Sequence, residues 1–153
     1  MLVIFLGITG CGVGVSDYND AVLEGVSNMN SNKPEKALKH FNRAIEIDPK
    51  RAGGYLGRAN ALNTIGKYAE AVKNYNTAIS IDDTIANAYI NRAIAYSHLG
   101  KFKKAIADYE KGLTLDPEID DAPGFLDRMF SDEPNRDKGI RKHLEQLKKK
   151  VKS

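Results

Sequence analysis

The sequence of 153 residues predicts an all-α protein, an α-solenoid of stacked helical hairpins. Three observations predict it. Asn42-Arg43-Ala44-Ile45-Glu46-Ile47-Asp48-Pro49 returns as Asn76-Thr77-Ala78-Ile79-Ser80-Ile81-Asp82-Asp83, and again as Glu110-Lys111-Gly112-Leu113-Thr114-Leu115-Asp116-Pro117. Ala37, Ala71 and Ala105 share the same spacing of 34, as do Gly66 and Gly100. Within each period the apolar residues recur at helical spacing and do not alternate as in a strand. A fixed period of this length marks a repeat array.

The third unit shows why each period is a hairpin. Tyr89, Ala93 and Tyr96 fall at i, i+4 and i+7, on one face of a helix. Gly100 stops that helix. Phe102, Ala105, Ile106 and Tyr109 mark the inner face of a second helix, and small Gly112 lets a neighbour approach closely. Asp116-Pro117 ends the unit, because proline disfavours helix at the residue before it. No such hairpin buries its apolar side alone, so the hairpins stack.

These residues resemble the tetratricopeptide repeat (TPR). Its W-x2-L-G-x2-Y…A-x3-F…P signature is met by Tyr89-x2-Arg92-Ala93-x2-Tyr96…Ala105-x3-Tyr109…Pro117. The second unit reads Tyr55-x2-Arg58-Ala59-x2-Leu62…Ala71-x3-Tyr75…Asp83, and the first Ala21-x2-Glu24-Gly25-x2-Asn28…Ala37-x3-Phe41…Pro49. The resemblance implies a TPR α-solenoid of three helical hairpins, at about 18–51, 52–85 and 86–119, with C-terminal capping helices. Unit one is degenerate, as terminal repeats commonly are, and has Pro34 where an aromatic is usual. Arg58 and Arg92 stand in place of leucine and read as snorkelling arginines within reach of a carboxylate such as Asp108.

Residues 120–153 read as capping helices with a basic tail. Phe125 to Phe130 forms a short helix over the last repeat, and Pro134 starts a final helix running towards Lys152. That makes about eight helices in all. Ile140, Leu144, Leu147 and Val151 make a narrow apolar seam on the last helix. The seam reads first as a cap on the third unit, and alternatively as an interface for a partner or for self-association. From Arg136 onward eight basic residues face only Asp137 and Glu145, so the tail carries +6 and the remainder of the chain −3. The basic end suits the helix dipole and also a contact with anionic lipid or an acidic partner.

The first fifteen residues carry no charge and do not fit the repeat. Exposed, such a run is an aggregation liability, and it is too short to span a bilayer. It resembles a secretory signal core. Ile8-Thr9-Gly10-Cys11 resembles the lipobox of bacterial lipoproteins, which implies lipidation of Cys11, residues 1–16 as signal peptide and short tether, and a domain starting near Asp17. That places the protein in the cell envelope, lipid-anchored on the extracytoplasmic side of a membrane. A non-cleaved hydrophobic N-terminus, a buried capping segment with an inert Cys11, and a cytosolic scaffold are the alternatives.

Composition narrows the chemistry. With 42% hydrophobic and 28% charged residues the chain is globular, not disordered. One cysteine excludes an internal disulfide, a zinc knuckle and an iron–sulfur site. The net charge of +3 is too small to imply nucleic acid by itself. His40, His98 and His143 are isolated from any triad or metal-pair spacing. Asp116-x-Glu118-x-Asp120 lacks the glycine of a calcium loop and reads as turn and cap chemistry. Gly10-Cys11-Gly12-Val13-Gly14 is neither a dinucleotide fingerprint nor a P-loop. No enzyme, cofactor or metal is expected.

Binding remains. In the repeat family the first helices of successive units line a concave groove that holds a partner peptide or helix. Carried over, the groove comprises Val22, Val26, Leu56, Asn60, Asn63, Asn87, Ile90, Asn91, Ile94 and His98. Leu56, Ile90 and Ile94 are the expected anchors, and the asparagines the expected partners of an extended backbone. Chaperone-binding members of the family clamp a C-terminal carboxylate with lysine, asparagine, asparagine, lysine and arginine. The matching positions here are Val22, Val26, Gly57, Asn87 and Asn91, and none is a cation, which argues against the co-chaperone subclass. The expected activity is that of an interaction scaffold or adaptor for another protein, or alternatively of a structural module that self-associates through its last helix. The oligomeric state stays open.

Overall fold

A computed structural model describes residues 13–119 and 139–152. Among them are seven helices and no strand: α1 (Val13–Asn30), α2 (Pro34–Ile47), α3 (Ala52–Thr64), α4 (Tyr68–Ile81), α5 (Ala86–His98), α6 (Phe102–Leu115) and α7 (Ile140–Lys152). The expected helix at Phe125–Phe130, the expected start at Pro134 and Cys11 all lie outside the described residues.

The three hairpin turns are one structure repeated at the period of the sequence. Asn32, Gly66 and Gly100 adopt φ of 54°, 79° and 70°. Beside them Lys33, Lys67 and Lys101 donate N–H bonds of 2.9, 2.9 and 2.8 Å to the carbonyls of Asn28, Leu62 and Tyr96. This is a left-handed C-terminal cap, which glycine adopts freely and asparagine tolerates. Pro34 opens α2, where its ring fits the first helical position and its missing N–H costs nothing.

The second helices also stop alike. Asp48, Asp82 and Asp116 are extended, and each carboxylate accepts the backbone N–H two residues on, from Lys50, Thr84 and Glu118, at 3.0, 3.0 and 3.1 Å. Asp116 thus closes an Asx turn, as the turn reading of that loop expects. Thr84 also donates its hydroxyl to Asp82, and these bonds hold the Asp82 carboxyl below its ordinary pKa.

The small positions are where helices cross. Ala37, Ala71 and Ala105 are fully buried, as are Ala44 and Ala78. The first helices α1, α3 and α5 contact one another across repeats and form the inner layer, while α2, α4 and α6 lie outside it.

α7 packs on α6 and closes the C-terminal end. Ile140, Leu144 and Leu147 share one core cluster with Ile90, Ile94, Ala105 and Tyr109. The seam therefore faces inward, which corrects the reading of it as an interface for self-association. Three basic residues fasten the same contact. Arg141 donates to the Pro117 carbonyl at 2.9 Å, Lys148 pairs with Glu110 at 3.1 Å, and the Lys150 ammonium stands 4.4 Å from the Phe102 ring centre.

At the other end, α1 begins at Val13. Residues 13–16, expected as tether, are helical.

Candidate peptide-binding groove

The inner layer carries the candidate groove, and burial divides its ten expected residues. Asn87 and His98 are exposed, Val26 is 43% exposed, and Val22, Leu56 and Asn60 are half-buried. Ile90, Ile94, Asn63 and Asn91 are buried, at 2%, 0%, 3% and 3% exposure. These four belong to the core, which corrects their expected role as peptide contacts.

The reasons are specific. Ile94 and Ile90 lie in the cluster formed with α7. Ile90 also fills the space beside Gly112, where an added Cβ would stand 2.4 Å from Ile90 Cδ1. Asn91 turns inward: its Nδ2 donates to Asn60 Oδ1 at 2.9 Å, and the Tyr75 hydroxyl donates to the same oxygen at 2.8 Å. Asn60 Oδ1 is thereby committed to the fold, and its Nδ2 is the part that can serve a ligand. Burial pushes the Tyr75 hydroxyl far above its ordinary pKa, so it stays a donor. His98 stacks on Tyr68, with ring centres 4.2 Å apart and planes 3° from parallel.

The apolar part of the surface is on α1. Leu23 is 65% exposed, more than any other large hydrophobic described, and Val26 follows it by one turn. Val22 and Val26 are 34 residues from Leu56 and Asn60, so the two pairs hold equivalent places on adjacent inner helices. Leu23 holds the place on α1 that Gly57 and Asn91 hold on α3 and α5.

Tetratricopeptide-repeat models match residues 22–51, 59–100 and 86–119, more than half of the chain. The chain belongs to the tetratricopeptide-repeat family. Tetratricopeptide repeat protein 36 of Danio rerio is 40% identical over 52 residues, 34% of this chain and 28% of that protein. An uncharacterized protein of Methanocaldococcus jannaschii is 40% identical over 47 residues, 31% of this chain and 55% of its own length. The first TPR domain of Spaghetti (RPAP3), bound to the HSP90 peptide SRMEEVD, superposes with a TM-score of 0.74 at 21% identity, over 96% of this chain and 100% of that one. The second TPR domain of human RPAP3, in complex with the HSP70 peptide SGPTIEEVD, gives a TM-score of 0.70 at 26% identity, over 88% and 98% of the two chains.

Within this TPR fold the five positions of the carboxylate clamp take a definite form. Gly57 lies against the Phe41 ring, where an added Cβ would stand 2.2 Å from Cε1. Asn91 is inside the core, and only Val22, Val26 and Asn87 face outward. The outer side carries the charge. Arg92 binds Asp108 through Nε and Nη2, both at 2.7 Å, and Asn76 through Nη1 at 2.8 Å. Arg58 makes the equivalent bonds to neutral partners, Asn74 through Nε at 2.7 Å and Asn42 through Nη1 at 3.1 Å. The expected carboxylate partner is thus found for Arg92 and not for Arg58.

Proposed function

We propose that this protein is an interaction scaffold that holds a segment of another protein against its inner layer. The observation that carries the reading is the exposed aliphatic patch of Leu23 and Val26 on α1, beside Leu56 and Asn60 of α3, on a fold whose relatives are seen with peptides in place. A solvated helix face has no need of such a patch, and contiguous apolar surface favours a partner. The ligand is not a carboxylate terminus held by cations, because Val22, Val26, Gly57, Asn87 and Asn91 offer none. Aliphatic side chains of the partner anchor on α1 and α3, and the amides of Asn60 and Asn87 meet its backbone.

The test is site-specific photo-crosslinking in the native host. A photoreactive residue at Leu23 should capture a partner, and one at Lys103 on the second-helix layer should not. Leu56→Ala should weaken the captured partner by about 1–2 kcal/mol, and binding should survive moderate salt because no cation lies among these positions. Equal capture from both sites, or loss of binding in salt alone, would end the groove reading.

The membrane location is a separate part of the proposal. It is supported by the uncharged run ending in Ile8-Thr9-Gly10-Cys11. Residues 13–16 are helical and follow this run closely in sequence, so a lipid on Cys11 would hold the first repeat close to the bilayer. Two or more acyl chains hold a protein stably on a membrane. Cys11→Ala should abolish acyl labelling and move the protein out of the membrane fraction. Labelling that persists in the variant would refute the anchor.

A further inference from the structure

Outside the groove, a cleft of about 440 Å³ opens between α2, α3 and α4. Leu38 and Leu62 form its apolar part, and Asn42, Asn74, Arg58 and Lys73 its polar part, with Lys67 and Glu70 at the rim. On α3 its residues Arg58 and Leu62 lie on the side opposite Leu56, Asn60 and Asn63, so the cleft and the groove do not share a surface.

The third repeat shows what the second lacks. Each residue of the cleft has a counterpart 34 positions on, and two replacements matter. Leu62 stands where the third repeat has Tyr96, whose ring lies 5.9 Å from the Arg92 guanidinium carbon. Asn74 stands where the third repeat has Asp108. Arg92 is neutralised by that carboxylate through two bonds, with side-chain exposures of 16% and 10%. Arg58 has two amide oxygens and the Tyr55 ring face at 5.6 Å but no carboxylate, and Asn74 turns its own Nδ2 away to the Glu70 carbonyl at 2.9 Å. Among the described residues no carboxylate lies within ion-pair distance of Arg58 or Lys73, and Glu70 is engaged by Lys67 at 3.7 Å. The bond that Arg92 Nη2 makes to Asp108 has no equivalent at Arg58 Nη2. A half-buried guanidinium beside an apolar floor, with a second cation lining the same cleft and a volume within the range of small-ligand sites, has the chemistry to receive a carboxylate.

We propose that this cleft binds a carboxylate with a short aliphatic body, the carboxylate on Arg58 Nη2 and Lys73 and the aliphatic part on Leu38 and Leu62. The same chemistry belongs to a free dicarboxylate and to a glutamate side chain of a bound protein. The site is independent of the groove, and either stands if the other falls.

The test is NMR titration of the isotope-labelled full chain at constant ionic strength, following the Arg58 Nε–H signal and the methyls of Leu38 and Leu62. The probes are glutarate and the blocked peptide acetyl-Leu-Glu-Leu-amide, with the Gln peptide and chloride as controls. Saturable shifts with a carboxylate probe and none with the controls are expected. Tighter binding of glutarate identifies a free dicarboxylate as the ligand, and tighter binding of the peptide identifies a protein side chain. Asn74→Asp supplies the carboxylate internally, keeps the fold and should weaken either probe by about tenfold or more, the scale of one charge-assisted hydrogen bond. Leu62→Tyr should put a ring beside Arg58, as Tyr96 stands beside Arg92, take up the cleft and abolish binding. Shifts that never saturate, or binding unchanged by Asn74→Asp, would overturn the proposal.

Discussion

Phe41 is held between two glycines, and that contact makes the sharpest claim about how the first two repeats meet. A Cβ on Gly57 would stand 2.2, 2.4 and 2.6 Å from Cε1, Cδ1 and Cζ of the ring, and one on Gly25 would stand 2.5 to 2.8 Å from the same three atoms. The ring is 1% exposed and has no room on either side. Gly57→Ala gains helix propensity of about 1 kcal/mol and meets overpacking of about 1–3 kcal/mol. The single variant is therefore expected between neutral and about 2 kcal/mol destabilised, which alone decides little. In a Phe41→Leu background, where Cε1 and Cζ are gone and the Cδ atoms can turn away, only the propensity gain remains. Gly57→Ala should then stabilise by up to about 1 kcal/mol. A double-mutant cycle by urea denaturation isolates the coupling, expected at about 1–3 kcal/mol. Equal effects of Gly57→Ala in both backgrounds, within about 0.5 kcal/mol, would refute the contact.

Two further predictions concern the polar interior. Burial raises the hydroxyl pKa of Tyr75 and Tyr109 above the unfolded value near 10, so their stabilisation is complete below about pH 10 and is lost as pH rises beyond it. Each can steepen the loss by up to about 1.4 kcal/mol per pH unit, and Tyr75→Phe should shallow the slope of urea midpoint against pH; an unchanged slope would count against the burial. Asp108→Ala should cost about 3–5 kcal/mol by leaving Arg92 uncompensated, whereas Asp108→Asn should cost less, since Asn74 already serves Arg58. Thermal unfolding that ranks the two alike would show that an amide cannot replace this carboxylate.

The repeat was legible because it rests on positions whose chemistry is local. Gly66 and Gly100 announce left-handed caps, Asp48, Asp82 and Asp116 announce Asx turns, and the buried alanines announce helix crossings. The groove was legible only in part, because whether an inner-helix residue faces a ligand depends on what packs beside it. Ile94 looks like a groove anchor in sequence, and α7 covers it. Asn91 has the chemistry to meet a peptide, and Tyr75 with Asn60 draws it inward. The cleft at Arg58 did have a sequence signal, in Leu62 against Tyr96 and Asn74 against Asp108, but it appears only when the units are compared with each other.

The division between core and groove follows from one slot used three times. The aromatic of each second helix enters between its own first helix and the next. Phe41 has no hydroxyl and needs only space, which Gly25 and Gly57 provide. Tyr75 brings a hydroxyl into the same slot, and Asn60 accepts it while Asn91 of the following helix joins the same oxygen. Tyr109 meets His143 of α7 edge-on, with ring centres 5.6 Å apart, so α7 fills the place of a next first helix. Gly57 and Asn91 are thus spent on the fold because a ring precedes them. Leu23 occupies the equivalent position on α1, where no second helix precedes it among the described residues, and it remains 65% exposed. The aliphatic surface therefore collects at the α1 end and the inner layer grows more closed towards α7. A partner segment would gain most of its apolar burial over the first repeat and its polar contacts, at Asn60 and Asn87, over the second and third.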